Sequence, residues 1–262
     1  MKKGQLAKEK ARLPSDGSII ASSFTSPVDA LYLAAIFDPI FTVSYPHTRQ
    51  VRQISLLQAM LRALSAPEAA PPADTQLLSL ATLLERNPKR IVVVFPECTT
   101  TNGKGILPLS PSLLSAPAST KIFPVNLRYS PPDITTPIPG SYWGFAWKLL
   151  SQQTHCIRVR IAETTLNDSV SVAHSLGSVR GGQQGKDKYL ENLMESMGEA
   201  TQRSMAGKTA AEQSRDGPVT ESEQKVLDRV GEALARLGRV KRVGLTVADK
   251  ASFVKAWGQQ RK

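Results

Sequence analysis

Apolar residues over the first 165 positions arrive in short blocks separated by turn formers, a pattern of strands alternating with helices. The most continuous block is Ile91, Val92, Val93 and Val94, followed by Phe95 and Pro96. It reads as a buried strand that must stop at the proline, which has no N–H for a ladder. Ile19, Ile20 and Ala21 predict a shorter strand upstream, 40–43 another and 121–129 a longer one. At 156–161, Ile157, Val159 and Ile161 alternate with Arg158 and Arg160, which predicts an edge strand with one buried and one charged face.

Helices fill the intervals. Ser26 at an N-cap, Pro27 at the first helical position and Asp29 three residues after the cap form a capping-box pattern, opening a helix that ends near Asp38-Pro39. Ile54, Leu57, Leu61 and Leu64 recur at helical spacing and predict a helix over 51–64; 75–86 predicts a second, ended by Asn87-Pro88. Ser65 to Asp74, with three prolines, reads as a loop insertion, and 130–140, with four, as a long loop of the kind that lies over a site. The helix predicted over 141–152 carries Tyr142, Trp143, Phe145 and Trp147, a load that suits core packing, a membrane interface or an acyl-chain tunnel. From about residue 164 the composition shifts to polar helix formers. There 186–203 is amphipathic through Tyr189, Leu193 and Met197. Thr220 with Glu223 caps a helix bearing Val226, Val230, Leu234 and Leu237, closed by Gly238, and 250–257 bears Phe253 and Trp257. The chain thus reads as an α/β protein in three parts: a basic lead-in at 1–18, an α/β domain at 19–165 and a helical, basic extension at 166–262.

Composition narrows the class. With 262 residues, 41% of them hydrophobic, the chain can bury one sizeable core. Cys98 and Cys156 show no pairing pattern, which points to a reducing compartment and excludes a disulfide scaffold or a cysteine-rich zinc centre; no metal site is expected. No signal-peptide pattern is present, and the longest apolar run, 30–37, is closed by Asp38 far short of a membrane span. The net charge of +11 sits at the ends: residues 1–12 carry +4 and residues 236–262 carry +7, leaving the middle neutral. Polybasic ends gain about 1 kcal/mol per Lys/Arg near anionic lipid. Nucleic acid is the competing partner, but aromatics are few and no nucleic-acid motif accompanies the charge, so none is expected. Solvated tails are the plain alternative.

Candidate chemistry gathers where the 91–94 strand stops. Glu97, Thr99, Thr100, Thr101, Asn102, Gly103, Lys104 and Gly105 place a carboxylate, hydroxyls, a cation and two glycines on one turn. In an open α/β sheet ligands dock beyond the carboxyl ends of strands, so this turn is the candidate site. A solvated Asn-Gly turn is the other reading.

The stretch FPECTTTNGKG resembles the FPEGT block of the phospholipid/glycerol acyltransferase family, with Cys98 where that block has glycine. SFTSPVDALYLA, at 23–34, is similar to the family's NHTSPLD block, and KIFPVNLRY, at 121–129, to its later strand block. The resemblance covers about residues 19–163 and is nearest to the fungal lysophosphatidic acid:oleoyl-CoA acyltransferase branch. It implies a mixed, largely parallel sheet flanked by helices, with the helical extension appended. It also implies transfer of a fatty acyl group from acyl-CoA, a co-substrate rather than a cofactor, to a lysophospholipid such as lysophosphatidic acid. The location implied is peripheral, on an anionic membrane surface at the cytoplasmic face of the endoplasmic reticulum or a lipid droplet.

The same resemblance assigns Asp29 and Glu97 as catalytic, and Thr25, Ser26, Arg52, Thr99, Thr100, Asn102, Gly103 and Lys104 as substrate-binding; Arg49 is a second candidate beside Arg52. One departure matters. The family's aspartate orients a histidine that deprotonates the acceptor hydroxyl, and this chain has Phe24 there, a ring with no proton-accepting atom. Three rescues are open: His47 from the neighbouring turn, the substrate's own phosphate, or Cys98 as a nucleophile with a histidine partner. His155 and His174 read as satisfied histidines. A relative that binds lysophospholipid or acyl-CoA without turnover is the alternative. Either reading requires the mouth of the first helix and the tip of the 91–94 strand to share one hollow.

Overall fold

The protein, a computed structural model describing residues 12–73, 75–130, 132–137, 142–167 and 219–259, is built on a seven-stranded sheet. In chain order the elements are β1 (Ile19–Ser22), α1 (Pro27–Phe37), β2 (Ile40–Ser44), β3 (Val51–Ile54), α2 (Leu56–Leu64), α3 (Leu80–Arg86), β4 (Val92–Val94), β5 (Gly105–Ile106) and β6 (Lys121–Ser130). They continue with α4 (Tyr142–Ser151), β7 (Cys156–Ile161), β8 (Thr165–Leu166), α5 (Glu221–Gly238), β9 (Lys241–Arg242) and α6 (Val247–Gln259), with 3-10 turns at Pro111–Ser115 and Pro132–Ile134. The strand order is β3-β2-β4-β1-β6-β7, with β8 also pairing β6. Strands β2, β4, β1 and β6 run parallel; β3, β7 and β8 are antiparallel additions. This is the mixed, largely parallel sheet flanked by helices that the resemblance implies. Strand β7 pairs within the sheet with β6 and lies at its edge, as its alternating pattern predicts.

Strand alternation assigns the two faces. Ile19, Ala21, Val92 and Val94 point to one side, where they pack with α3, the Pro111–Ser115 turn and α5. Ile20 and Val93 point to the other, against α1 and α2. Helix α5 contributes Val226, Leu227, Val230 and Leu234 to the first core, so a helix from the polar-rich extension covers the sheet. Gly238 lets its end approach β6: a Cβ there would lie 3.3 Å from Asn126 Nδ2 and 3.2 Å from Val240 Cγ2. The left-handed cap is not Gly238 but Arg239, at φ 53°.

Three sequence expectations change. The helix expected over 51–64 divides, because Val51–Ile54 pairs with β2 in an antiparallel ladder and Ser55 with Gln58 caps a new helix. That helix, α2, buries Ala59 and Ala63 and leaves Leu57 and Leu61 exposed; small residues give close packing, and the leucines face out. The 75–86 helix begins only at Leu80, since Leu78 bridges to Val51 and Ser79 is the cap. Core packing fails for α4: Trp143 is 90% exposed and Trp147 75%. Among the described residues no helix is long and apolar enough to cross a membrane. The basic lead-in through residue 11, the helix expected at 186–203 and His174 lie outside the described residues.

Candidate active site

Strands β1 and β4 are parallel neighbours, yet their connections leave in opposite directions, β1 through α1 to β2 and β4 past β1 to β6. Such a switch in strand order opens a crevice beyond the carboxyl ends. The two segments that enter it are 23–26 after β1 and 95–104 after β4.

Segment 23–26 is held on every side. Asp29, at the third position of α1, accepts from Ser26 N at 2.9 Å and Thr25 N at 2.6 Å, while Ser26 Oγ accepts from Val28 N at 3.2 Å, completing the predicted capping box. Thr101 N donates to Phe24 O at 2.8 Å and Thr136 N to Thr25 O at 2.7 Å. Tyr129 OH donates to the other oxygen of Asp29. With four donors on its carboxylate, the Thr25 hydroxyl at 3.2 Å being the fourth, Asp29 is fully buried and walled in by Thr25, Ser26 and Tyr129. Burial outweighs those hydrogen bonds and raises its pKa to about 6.

Glu97 lies on the other side of the same backbone. Its Oε2 accepts from Leu107 N at 3.0 Å, and the Phe24 amide faces the same carboxylate. Oε1 has no partner. Burial, reinforced by the nearby Asp29 charge and opposed by Lys250, raises its pKa to about 7. The two carboxylates therefore flank successive amides of one short segment, at positions 24 and at 25 and 26.

The turn itself has a strained residue and a relaxed one. Cys98 takes φ 60°, the left-handed region in which glycine is at ease, which gives a backbone reason for glycine at this place in the resembling block. Burial pushes its thiol pKa up to about 12, so it stays protonated and fills space under the turn. Gly103, at φ 69°, sits where a Cβ would lie 3.5 Å from Thr25 Cγ2, and Asn102 Oδ1 accepts from Lys104 N at 3.1 Å. Thr99 and Thr100 are buried, whereas Asn102, Gly103 and Lys104 are exposed.

Two cavities adjoin this turn. A cleft of about 740 Å³ has Thr100, Thr101, Asn102 and Lys104 on one wall and Leu245, Lys250 and Phe253 of the C-terminal segment on the other. A smaller hollow of about 350 Å³ is lined by Glu97, His47 and Cys98, again with residues of the 245–248 stretch opposite. The C-terminal segment is tied down locally: β9 pairs with β5, and Val243 N donates to Ile106 O at 2.9 Å. Thr246 with Asp249 caps α6. One turn in, Lys250 Nζ donates to Thr99 Oγ1 at 3.0 Å, Thr100 Oγ1 at 2.8 Å and Thr100 O at 2.5 Å. Burial and the Arg62 charge lower its pKa to about 8, against the opposing pull of Glu97.

The structure thus brings Thr25, Thr99, Thr100, Asn102, Gly103 and Lys104 together along the turn, whereas Glu97 faces the separate hollow with His47. Thr25, Ser26 and Asp29 line neither cavity, so the mouth of α1 meets the tip of β4 through backbone hydrogen bonds rather than across the shared hollow expected. Arg52 is on β3, opposite Val43, and also lines neither. Arg49 forms a two-pronged ion pair with Glu223 of α5, at 2.5 and 3.0 Å. Phe24 turns away from both cavities, stacks on Phe95 and reaches a pinhole of about 10 Å³ beside Arg62. His155 is engaged through Nε2 with Leu149 O at 2.7 Å. Lys250 escaped the sequence reading because no motif contains it. The available signal was local: a Thr246–Asp249 capping pair that sets Lys250 beside Phe253 on one short helix.

A family model described as "Acyltransferase" matches residues 6–128. A Schizosaccharomyces pombe protein, provisionally named a lysophosphatidic acid:oleoyl-CoA acyltransferase, is 29% identical over 150 residues, which are 57% of this chain and 50% of that protein. The chain thus spans about half the length of the curated relative it matches. No solved structure matches the chain.

Proposed function

We propose that this chain, whose residues 6–128 match an acyltransferase family model, moves a fatty acyl group from acyl-CoA to a lysophospholipid, lysophosphatidic acid in the first instance. The observation that carries this reading is the 740 Å³ cleft, where a threonine-rich turn and two lysines meet Leu107, Leu245 and Phe253. A polar, cationic end beside an apolar wall suits an anionic headgroup attached to an acyl chain. Proximity is the first requirement of acyl transfer, which must hold a thioester against a hydroxyl and stabilise the oxyanion that forms. Lys104 and the amides around Asn102 and Gly103 offer positive potential for that charge.

The proposed acceptor is a membrane lipid, and we place the enzyme peripherally on an anionic surface, the cytoplasmic face of the endoplasmic reticulum or a lipid droplet. Exposed Trp143, Trp147 and Leu150 on α4 support this, since indole rings favour the bilayer interface. The test is thiol release from oleoyl-CoA, with lysophosphatidic acid as acceptor, by wild type and Glu97→Ala. Acceptor-dependent release by wild type, reduced in Glu97→Ala, supports the proposal; release that ignores the acceptor contradicts it.

A second reading, a relative that binds these lipids without turnover, draws on the orientation of Phe24 into the core. It predicts saturable binding of lysophospholipid or acyl-CoA by wild type and no acceptor-dependent thiol at any enzyme concentration.

A further inference from the structure

Acyl transfer needs a group that removes the acceptor's proton, and Phe24 cannot supply one. Titratable groups near the turn divide by access. Asp29 lines neither cavity, the Cys98 thiol is held protonated, and Glu97 and His47 line the 350 Å³ hollow rather than the cleft. The 740 Å³ cleft has Lys104, Asp249 and Lys250 on its walls. Lys104 is exposed, and Asp249 is spent on Thr246, which holds its pKa down. Lys250 alone of these three is half-buried, with its nitrogen on the threonine hydroxyls of the turn.

We propose that Lys250, delivered by α6 from outside the family-matched region, takes the place of the missing histidine as proton acceptor. This rests on the acyl-transfer reading of the same cleft. As an ammonium, Lys250 spends its three donors on Thr99 Oγ1, Thr100 Oγ1 and Thr100 O. Loss of one proton leaves a lone pair, and rotation about the Cε–Nζ bond, with one threonine bond given up, turns it from the turn to a hydroxyl in the cleft that Lys250 lines. The acceptor oxygen bonds to the thioester carbonyl carbon as its proton passes to the Lys250 amine. The C–S bond then breaks, and the ammonium returns the proton to the departing CoA thiolate, so the lysine ends as it began.

The charges facing Lys250 decide when the free amine exists. Arg62 on α2 and burial favour it; Glu97 after β4, with Asp29 behind, favours the ammonium; Lys104 and Asp249 share the cleft wall. The net result, a pKa of about 8, suits a base working near neutrality.

The test follows thiol release against pH in wild type, Lys250→Met, Lys250→Arg, and Lys250→Cys alkylated with bromoethylamine beside equally treated wild type. Wild-type kcat/KM should rise with pH through an acid limb near 8. Lys250→Met and Lys250→Arg should lose about 100-fold or more in kcat, within the range for a missing general base. Alkylated Lys250→Cys should regain activity with its limb at lower pH, because an amine next to a thioether is the weaker base. A Lys250→Arg enzyme with wild-type rate and profile overturns the proposal and leaves lysine as a cationic clamp on the turn. So does Lys250→Met with an unchanged limb, or an alkylated variant that melts like wild type yet stays inactive. A wild type that releases no acceptor-dependent thiol removes the acyl-transfer reading itself and this role with it.

Discussion

The ring of Phe24 stacks on that of Phe95, centroids 4.2 Å apart and planes tilted by 24°. Both rings are buried, at 3% and 4% exposure, so position 24 belongs to the core rather than to the cleft. Restoring the signature residue as Phe24→His should therefore lower stability by about 2–4 kcal/mol, the sum expected for lost apolar burial, a lost aromatic pair and an unpaired imidazole nitrogen. It should bring no gain in thiol release. Chemical denaturation beside the activity assay checks both; a stable, faster variant contradicts this placement of the ring.

Asp29 and Glu97 are carboxyls that burial raises to about 6 and about 7, from ordinary values of 3.8 and 4.5. Between the unfolded and folded values the native state binds more protons than the unfolded chain, so stability falls as pH rises from about 4 to about 7. The cost at neutral pH is on the order of 3 kcal/mol for each group. Glu97→Gln removes one titration, so its melting temperature relative to wild type should climb from pH 5 to pH 8. A constant difference across that range would mean that Glu97 stays ionised throughout.

Cys98 tests the backbone argument. A side chain in the left-handed region costs about 1–2 kcal/mol, and Cys98→Gly relieves that while losing a buried thiol of similar worth. The variant should melt within a few degrees of wild type. Cys98→Val, β-branched at φ 60°, should lose about 2 kcal/mol or more. Equal melting of the two variants would show that backbone conformation at 98 is not what selects the residue.

For the membrane surface, Trp143→Ala with Trp147→Ala should cut partitioning onto anionic phospholipid vesicles about 10-fold or more, with melting temperature unchanged because both indoles are exposed. Sedimentation of the protein with vesicles measures it. Unaltered partitioning would move the membrane contact elsewhere.

What the sequence allowed one to read was what is local. The boxes at Ser26–Asp29 and Thr220–Glu223 are set by residues three apart, and both form as their spacing predicts. Strand β4 ends where Pro96 requires. What escaped depends on distant partners. Leu57 and Leu61 look like a buried stripe until α2 packs through Ala59 and Ala63 and Val51–Ile54 joins β2. Asp29 meets Tyr129 across 100 positions, and Lys250 meets Thr99 across 151, separations that no motif spans. Of the candidate residues, those on the turn after β4 were legible because one strand end gathers them; Arg52 was not, because its place off the cleft follows from the pairing of its strand with β2.

The most direct measurement follows a labelled oleoyl group from oleoyl-CoA in the presence of lysophosphatidic acid and vesicles. Acyl transfer to the lysophospholipid should put label in a diacyl phospholipid, one per thiol released. Thiol without labelled lipid, or no acceptor-dependent thiol from wild-type protein, contradicts it.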